Sequence, residues 1–378
     1  MAKDINSEIF PEETKLKLSI FRNCFREWFP VFLNNVYIES IFIYDLFAGS
    51  GKDSEGTSGS PLILLQETKG ENGKYCEQVY KNDNKPAILF GFNEKEKKKF
   101  NLLKENVEDE FNSCEKNCPV GKCILRENCH IGNKDFKELI KSQVFLNILQ
   151  NRKFGKFILL DQYGFKHITN DVFLKLVDSP STDFIFFIST SFIRRFKNEP
   201  SVNAYFKKEN INFDTEKPQE CHREIAEYFK SLISEEKDYY VHNFTIKKGA
   251  NYYGLIFGTN HSFGMEKFLN ICWKEDPLAG ESNCNIDNDF EEGTLFYNPT
   301  DTNKIQIVKN KIKDKILCGA IKDNHTGLKY TLKQGCKPKL FIDVINELLN
   351  MNKIKIVGKF NRTATSIHKA NKYEISVL

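Results

Sequence analysis

Residues 12 to 34 set Leu16, Leu18, Ile20, Phe21, Phe25, Trp28, Phe29 and Phe32 at helical spacings among charges, which predicts an amphipathic packing helix with one core face. Short apolar runs follow at "SIFIYD" (40 to 45), "AILFGF" (87 to 92), "KFILLD" (156 to 161) and "DFIFFIST" (183 to 190). The charged stretch "NEKEKKKFNLLKENVEDEF" between two of them reads as a helix carrying Phe100, Leu103 and Val107 on one side. Near-continuous apolar strands alternating with helices are what a parallel sheet covered on both faces requires, so the fold class is α/β. "HNFTIKKGANYYGLIFGTN" (242 to 260) predicts two strands around a Lys-Lys-Gly turn that close the edge of that sheet.

The polar stretch "NPTDTNK" (298 to 304) marks a linker. Beyond it, "KPKLFIDVINELLNMNK" places Leu340, Phe341, Val344, Ile345, Leu348 and Leu349 on one helical face, and the short strands "IKIVGKF" and "KYEISVL" follow. Helices followed by a two-stranded ribbon predict a small winged helix-turn-helix domain at 304–378, after a larger α/β domain at 1–297.

With 378 residues the chain is long enough for one large core and a small second one. Its 55 Lys and Arg against 51 Asp and Glu leave a net charge of +4, which permits a polyanionic partner without demanding one. The N-terminal "MAKDINSEIFPEETKLKL" has no basic flank before an apolar core, and no run approaches the roughly 18 apolar residues of a membrane helix. A cytoplasmic protein with no membrane association is expected, and an odd count of 11 cysteines fits a reducing compartment better than a disulfide framework.

The densest chemical signal is "DLFAGSG", residues 45 to 51, where a buried strand runs into a carboxylate and a small-residue turn. Such a turn presents backbone N–H groups at the carboxyl end of the sheet, where open α/β folds bind ligands, and Gly49 and Gly51 let the backbone approach a ligand closely. Gly51-Lys52 is followed by Asp53, so this is no phosphate-binding loop, and the dinucleotide glycine spacing is absent.

The string resembles the first motif of S-adenosylmethionine-dependent methyltransferases, especially those acting on amino groups of nucleic acids. The resemblance implies a Rossmann-like class I methyltransferase sheet with S-adenosyl-L-methionine as cofactor, held by Asp45, Phe47, Ala48, Gly49, Ser50 and Gly51. Glu94, at the end of the next strand, fills the position of the acid that binds the ribose hydroxyls. It lies far beyond the ~20 residues of a compact dinucleotide unit, which implies an insertion after the first turn. Asp135 and Phe136 of "NKDFKEL" resemble the pair set against the adenine. "LLDQYGF" stands where such enzymes carry Asp/Asn-Pro-Pro-aromatic, implying that Asp161 holds the acceptor and Tyr163 stacks on it. Gln162 occupies the place of a proline.

The order of helix, "YDLFAGSG", "GSPL", "GFNE", "LLDQYG" and winged helix is similar to the three-Cys-motif partner protein (TcmP) family. That family usually shows Asp-Pro-Tyr-Gly where this chain has Asp161-Gln162-Tyr163-Gly164. The resemblance implies a methyltransferase-like protein acting on DNA or RNA, with N-methylation of a base as its reaction. It also implies a separate three-Cys-motif partner that looks like a radical-S-adenosylmethionine enzyme. A non-catalytic nucleic-acid adaptor of that partner, or a different base-modifying or repair reaction in the same pocket, are the alternatives. Arg194 and Arg195 in "STSFIRRF" lie near the expected substrate face and suit phosphate contacts. Lys337, Lys339, Lys353, Lys355, Lys359, Arg362 and Lys369 offer further phosphate contacts. Cys114, Cys118, Cys123 and Cys129 cluster in an inserted loop, but their spacing fits no paired zinc pattern, and free thiols with no bound metal are expected.

Overall fold

The computed structural model describes residues 8–82, 84–116, 118, 123–162, 167–189, 220–298, 300–360 and 371–378. The chain forms α1 (Glu12–Leu33), β1 (Ser40–Asp45), α2 (Ser60–Lys69), α3 (Lys74–Lys81), β2 (Ala87–Asn93), α4 (Lys97–Lys116) and β3 (Cys129–Gly132). Then come α5 (Phe136–Leu139), α6 (Gln143–Gln150), β4 (Phe154–Leu160), α7 (Asn170–Val177) and β5 (Thr182–Ile188). After the next described residues follow α8 (Cys221–Ser231), β6 (Tyr240–Lys248), β7 (Asn251–Thr259) and α9 (Ser262–Glu275). The C-terminal elements are α10 (Asn303–Leu317), α11 (Asn324–Lys333), α12 (Lys339–Asn350), β8 (Ile354–Val357) and β9 (Glu374–Val377).

The main sheet has the order β3-β2-β1-β4-β5-β7-β6, the Rossmann-like, methyltransferase-type sheet expected from the sequence. β1 pairs in parallel with both β2 and β4, and the parallel pairing continues to β3 and β5. β6 and β7 are sheet neighbours joined only through Gly249 and Ala250, the hairpin read from the Lys-Lys-Gly turn. An insertion after the first turn was expected, and α2 begins only at Ser60, so residues 52 to 59 form a loop between the glycine turn and the helix.

Two compact units divide the described chain: one holds residues up to Ser189 with Tyr253–Phe257, the other the described parts of Asp214–Tyr252 and Gly258–Leu378. In the first unit, strand parity decides what each side chain meets. Ile43 is in register with Phe157, so both point to the same face. α1 covers that face: the Phe157 ring lies 5.3 Å from Phe25 and 5.2 Å from Trp28. Leu18, Phe21, Phe25, Trp28 and Phe29 are buried, and burying each stabilises the fold by about 1.5–3 kcal/mol. The helix sits close because β4 has a glycine beneath it; a Cβ on Gly155 would come within 2.3 Å of the Phe32 ring. On the opposite face Tyr44 packs edge-on against Phe145 of α6 at 5.2 Å.

The second unit ends in three helices and an antiparallel ribbon, β8 pairing with β9, in the element order expected from the sequence. Thr302 and Asp323 cap α10 and α11 by accepting from the backbone N–H groups of Ile305 and Thr326. α12 buries Phe341, Ile342, Val344, Ile345 and Leu348, and Gly327 in α11 leaves room for the Phe341 ring. A buried ion network lies in the same unit. Lys304 bonds Glu281 and the Ala279 carbonyl, while Arg223 bonds Glu281 through Nε and holds Asp287 by both terminal nitrogens at 2.7 and 2.8 Å.

Candidate cofactor and acceptor site

The parallel register brings the carboxyl ends of four strands to one edge, with Asp45 opposite Phe92 and Leu159, and Asn93 opposite Gly132. Of the residues singled out in the sequence, Asp45, Phe47 to Gly51, Glu94, Asp135, Phe136 and Asp161 all fall at this edge. Tyr163, Arg194 and Arg195 lie outside the described residues.

Asp45 ends β1 on the face covered by α1 and is fully buried. Its Oδ1 accepts the Phe47 N–H at 3.2 Å, while Oδ2 has no hydrogen-bond partner. Burial raises its pKa to about 7; the Asp161 charge adds to the rise, and Ser60, the Phe47 N–H and Lys17 oppose it. A sequestered carboxylate whose Oδ2 has no hydrogen-bond partner among the described residues can accept from a bound cation or donor.

The turn beyond it is fixed from outside. The Ala48 N–H donates to the Asn93 carbonyl at 2.9 Å, and Gly49 and Gly51 hold φ of 62° and 85°, a left-handed backbone that suits glycine. A Cβ on Gly51 would press on Leu103 at 3.2 Å, and the Ser50 carbonyl accepts from Asn106 at 2.7 Å, so the turn rests on α4. Asp53 organises the inserted loop: its carboxylate accepts from the N–H groups of Glu55 and Thr57 and, at 2.9 Å, from Phe10.

Glu94 bonds directly to the turn. Its Oε2 accepts the Gly49 N–H at 3.0 Å and its Oε1 the Glu96 N–H at 2.7 Å, so β2 and the glycine turn are tied by one side chain. Asn93, which the sequence reading passed over, is buried and clips the neighbouring strand: its amide donates to the Lys134 carbonyl at 3.0 Å and accepts the Lys134 N–H at 3.1 Å. Asp135 caps α5 through the Lys137 N–H and pairs with Lys95 at 2.6 Å; Lys95 first, then that backbone bond, hold its carboxyl below the usual range. Phe136 is buried, and its ring lies 4.9 Å from Phe47 and 5.8 Å from His167, so an aromatic cluster stands beside the glycine turn.

At the end of β4 the sequence reading missed a partner. Asp161 follows Phe157 and Leu159 on the α1 face, and Lys17 of α1 reaches it at 2.5 Å, with side-chain exposures of 13% for the lysine and 20% for the aspartate. The same Lys17 Nζ sits 4.7 Å from the centroid of Phe187, whose ring stacks on Tyr253 at 5.5 Å and 14°. The sheet register contains the signal: Leu159 pairs with Ile185, so Phe187 shares the face of Asp161. Gln162 is buried where a proline was expected, and its Oε1 accepts the His167 N–H at 2.9 Å.

Among the described residues no group of three His, Cys, Asp or Glu side chains could hold a metal ion, and Cys114, Cys123 and Cys129 form no disulfide. No described helix is long and apolar enough to cross a membrane.

No protein-family model matches the chain, and no curated protein sequence matches it. Solved structures with a similar fold include Trm1 from Pyrococcus horikoshii in complex with S-adenosyl-L-methionine, 12% identical over 97% of this chain and 91% of that one, at a TM-score of 0.36. M. capricolum TrmK in complex with S-adenosyl-homocysteine is 13% identical over 83% of this chain and 97% of its own, at 0.28. The human methyltransferase 10 domain containing protein is 9% identical over 64% and 83%, also at 0.28. At such low TM-scores the chemistry is read from this chain's own residues.

Proposed function

We propose that this chain is an S-adenosylmethionine-dependent methyltransferase that acts on a base of nucleic acid. The observation that carries the reading is Asp45: a fully buried carboxylate with a free oxygen, next to a glycine turn at the carboxyl edge of a Rossmann-like sheet. Asp45 Oδ2 would accept from the α-ammonium of the cofactor's methionine part, and the backbone of residues 47 to 51 would line that part. Glu94 would hold the ribose, and Phe136, Phe47 and Asp135 would border the adenine. When bound, the cofactor supplies an electrophilic methyl group. Transfer from it is an in-line displacement, so the protein's work is to align the acceptor and exclude water. Asp161 orients the acceptor.

The C-terminal helices and ribbon are read as a winged helix that holds the polymer. Lys337, Lys339, Lys353, Lys355 and Lys359 are exposed there and suit phosphate contacts. The second reading is the adaptor of a three-Cys-motif partner implied by the TcmP resemblance. Gln162, bonded to His167 in place of the motif's proline, is the observation that favours it.

Calorimetric titration with S-adenosylmethionine tests the cofactor site. Micromolar binding is expected for the wild type and none for Gly49→Asp, which fills the turn, or for Asp45→Ala, which removes the carboxylate. A wild type that does not bind sinks the reading; binding without transfer of a methyl group to any nucleic acid leaves the adaptor.

A further inference from the structure

The acceptor end of the site holds a cation as well as a carboxylate. Lys17 and Asp161 sit 2.5 Å apart on the face covered by α1, over an aromatic floor made by Phe187 stacked on Tyr253. Resting on the methyltransferase reading, we propose that this site takes the lactam edge of guanine, uracil or thymine, with Asp161 accepting the ring N–H and Lys17 donating to the adjacent carbonyl oxygen. The methyl acceptor is then a ring nitrogen and not an exocyclic amine.

Electrostatics separates the two acceptors. An exocyclic amine that attacks a methyl group gains positive charge, and an ammonium held a few ångströms away opposes it. A lactam nitrogen loses its proton as it attacks, and the negative charge spreads to the carbonyl oxygen, where the same ammonium stabilises it. The step balances without further reagents. The nitrogen–carbon bond forms as the carbon–sulfur bond of the sulfonium breaks, the bonding pair leaves with sulfur as a neutral thioether, and the ring proton passes to the Asp161 carboxylate.

Uracil and cytosine differ at the 4-oxo and 4-amino groups, so labelled oligo-U and oligo-C provide a binding test in the absence of cofactor. Fluorescence anisotropy with the full chain should show about a tenfold preference for oligo-U, abolished in Lys17→Met and retained in Lys17→Arg. Methyl transfer to mixed RNA and DNA, digested to nucleosides and read by mass spectrometry, should label ring nitrogens of guanine, uracil or thymine. Transfer should fall by about a hundredfold in Lys17→Met while cofactor affinity, measured by calorimetry, stays within about threefold. Label on the amino groups of adenine or cytosine, or lactam transfer indifferent to Lys17→Met, overturns the inference and leaves the methyltransferase reading standing. Cofactor binding without any transfer also overturns it. A wild type that binds no cofactor removes the function reading first, and the inference with it.

Discussion

Replacing Asp45 by asparagine keeps the shape of the side chain and removes its charge. Burial lifts the Asp45 pKa from 3.8 to about 7. Since a tenfold change in proton affinity is worth about 1.4 kcal/mol, ionising the group in the folded chain costs at most about 4 kcal/mol. The sign follows from linkage: the folded pKa lies above the unfolded one, so the stability associated with the proton is complete below pH 3.8. It is lost as the pH climbs to about 7. Urea denaturation of the wild type and Asp45→Asn, at a series of pH values without ligand, isolates the contribution of Asp45 together with its coupling to Asp161 and Lys17. The difference in unfolding free energy should shift in favour of the variant by a few kcal/mol between pH 4 and pH 8. Calorimetry supplies the complement: an ammonium bound at Oδ2 expels the proton. Binding of S-adenosylmethionine at pH 6 should therefore release close to one proton, read from its dependence on buffer ionisation enthalpy, and Asp45→Asn should release none. Parallel stability profiles for the two proteins would refute the assignment of a raised pKa to Asp45.

Three further substitutions probe the packing of each unit. Gly155→Ala puts a methyl group 2.3 Å from the Phe32 ring, which should lift α1 from β4 and cost about 1–3 kcal/mol in thermal unfolding. Lys304→Met leaves the buried Glu281 with Arg223 as its remaining cation and should cost about 3 kcal/mol. Burial opposes ionisation of Glu281, but Lys304 and Arg223 hold its pKa at about 2, so stability from this group is present above 4.5 and lost as the pH falls toward 2; the variant should therefore denature at a higher pH on acidification. Lys156 is fully buried in β4, donates to the Asn151 carbonyl, and is lowered by burial to about 8. Its penalty is complete below pH 8 and lifts toward 10.5, so the wild type should gain on Lys156→Met over that window in chemical denaturation.

What the sequence made legible is what depends on neighbours along the chain. "SIFIYD" announces a buried strand because its apolar run is bounded by a turn, and Asp45 followed by a glycine turn announces a ligand edge. α1 was readable as a packing helix from its spacing alone, and its ends agree closely with the expected 12 to 34. Asp53 was legible only as a departure from a phosphate-binding loop. Its actual work, gathering the N–H groups of Phe10, Glu55 and Thr57, depends on loop geometry that no local pattern encodes.

Lys17 shows why the remainder of the site was hidden. On the helix it is one charge among several, and a solvated face is the ordinary reading of such a residue. Its partnership with Asp161 follows from two facts that only the fold supplies: β4 lies next to β1, and Phe157, Leu159 and Asp161 project toward the helix that packs on them. Strand parity would have placed Asp161 and Phe187 on one face once the β4–β5 register was known, yet register is set by packing across the sheet and not by either segment alone. The residues proposed to hold the cofactor lie at strand ends that the alternation of strands and helices already orders. The proposed acceptor residues come from a helix and from the ends or bodies of three strands, β4, β5 and β7, far apart in sequence. The half of the site proposed to select a substrate is therefore the half that sequence patterning leaves dark.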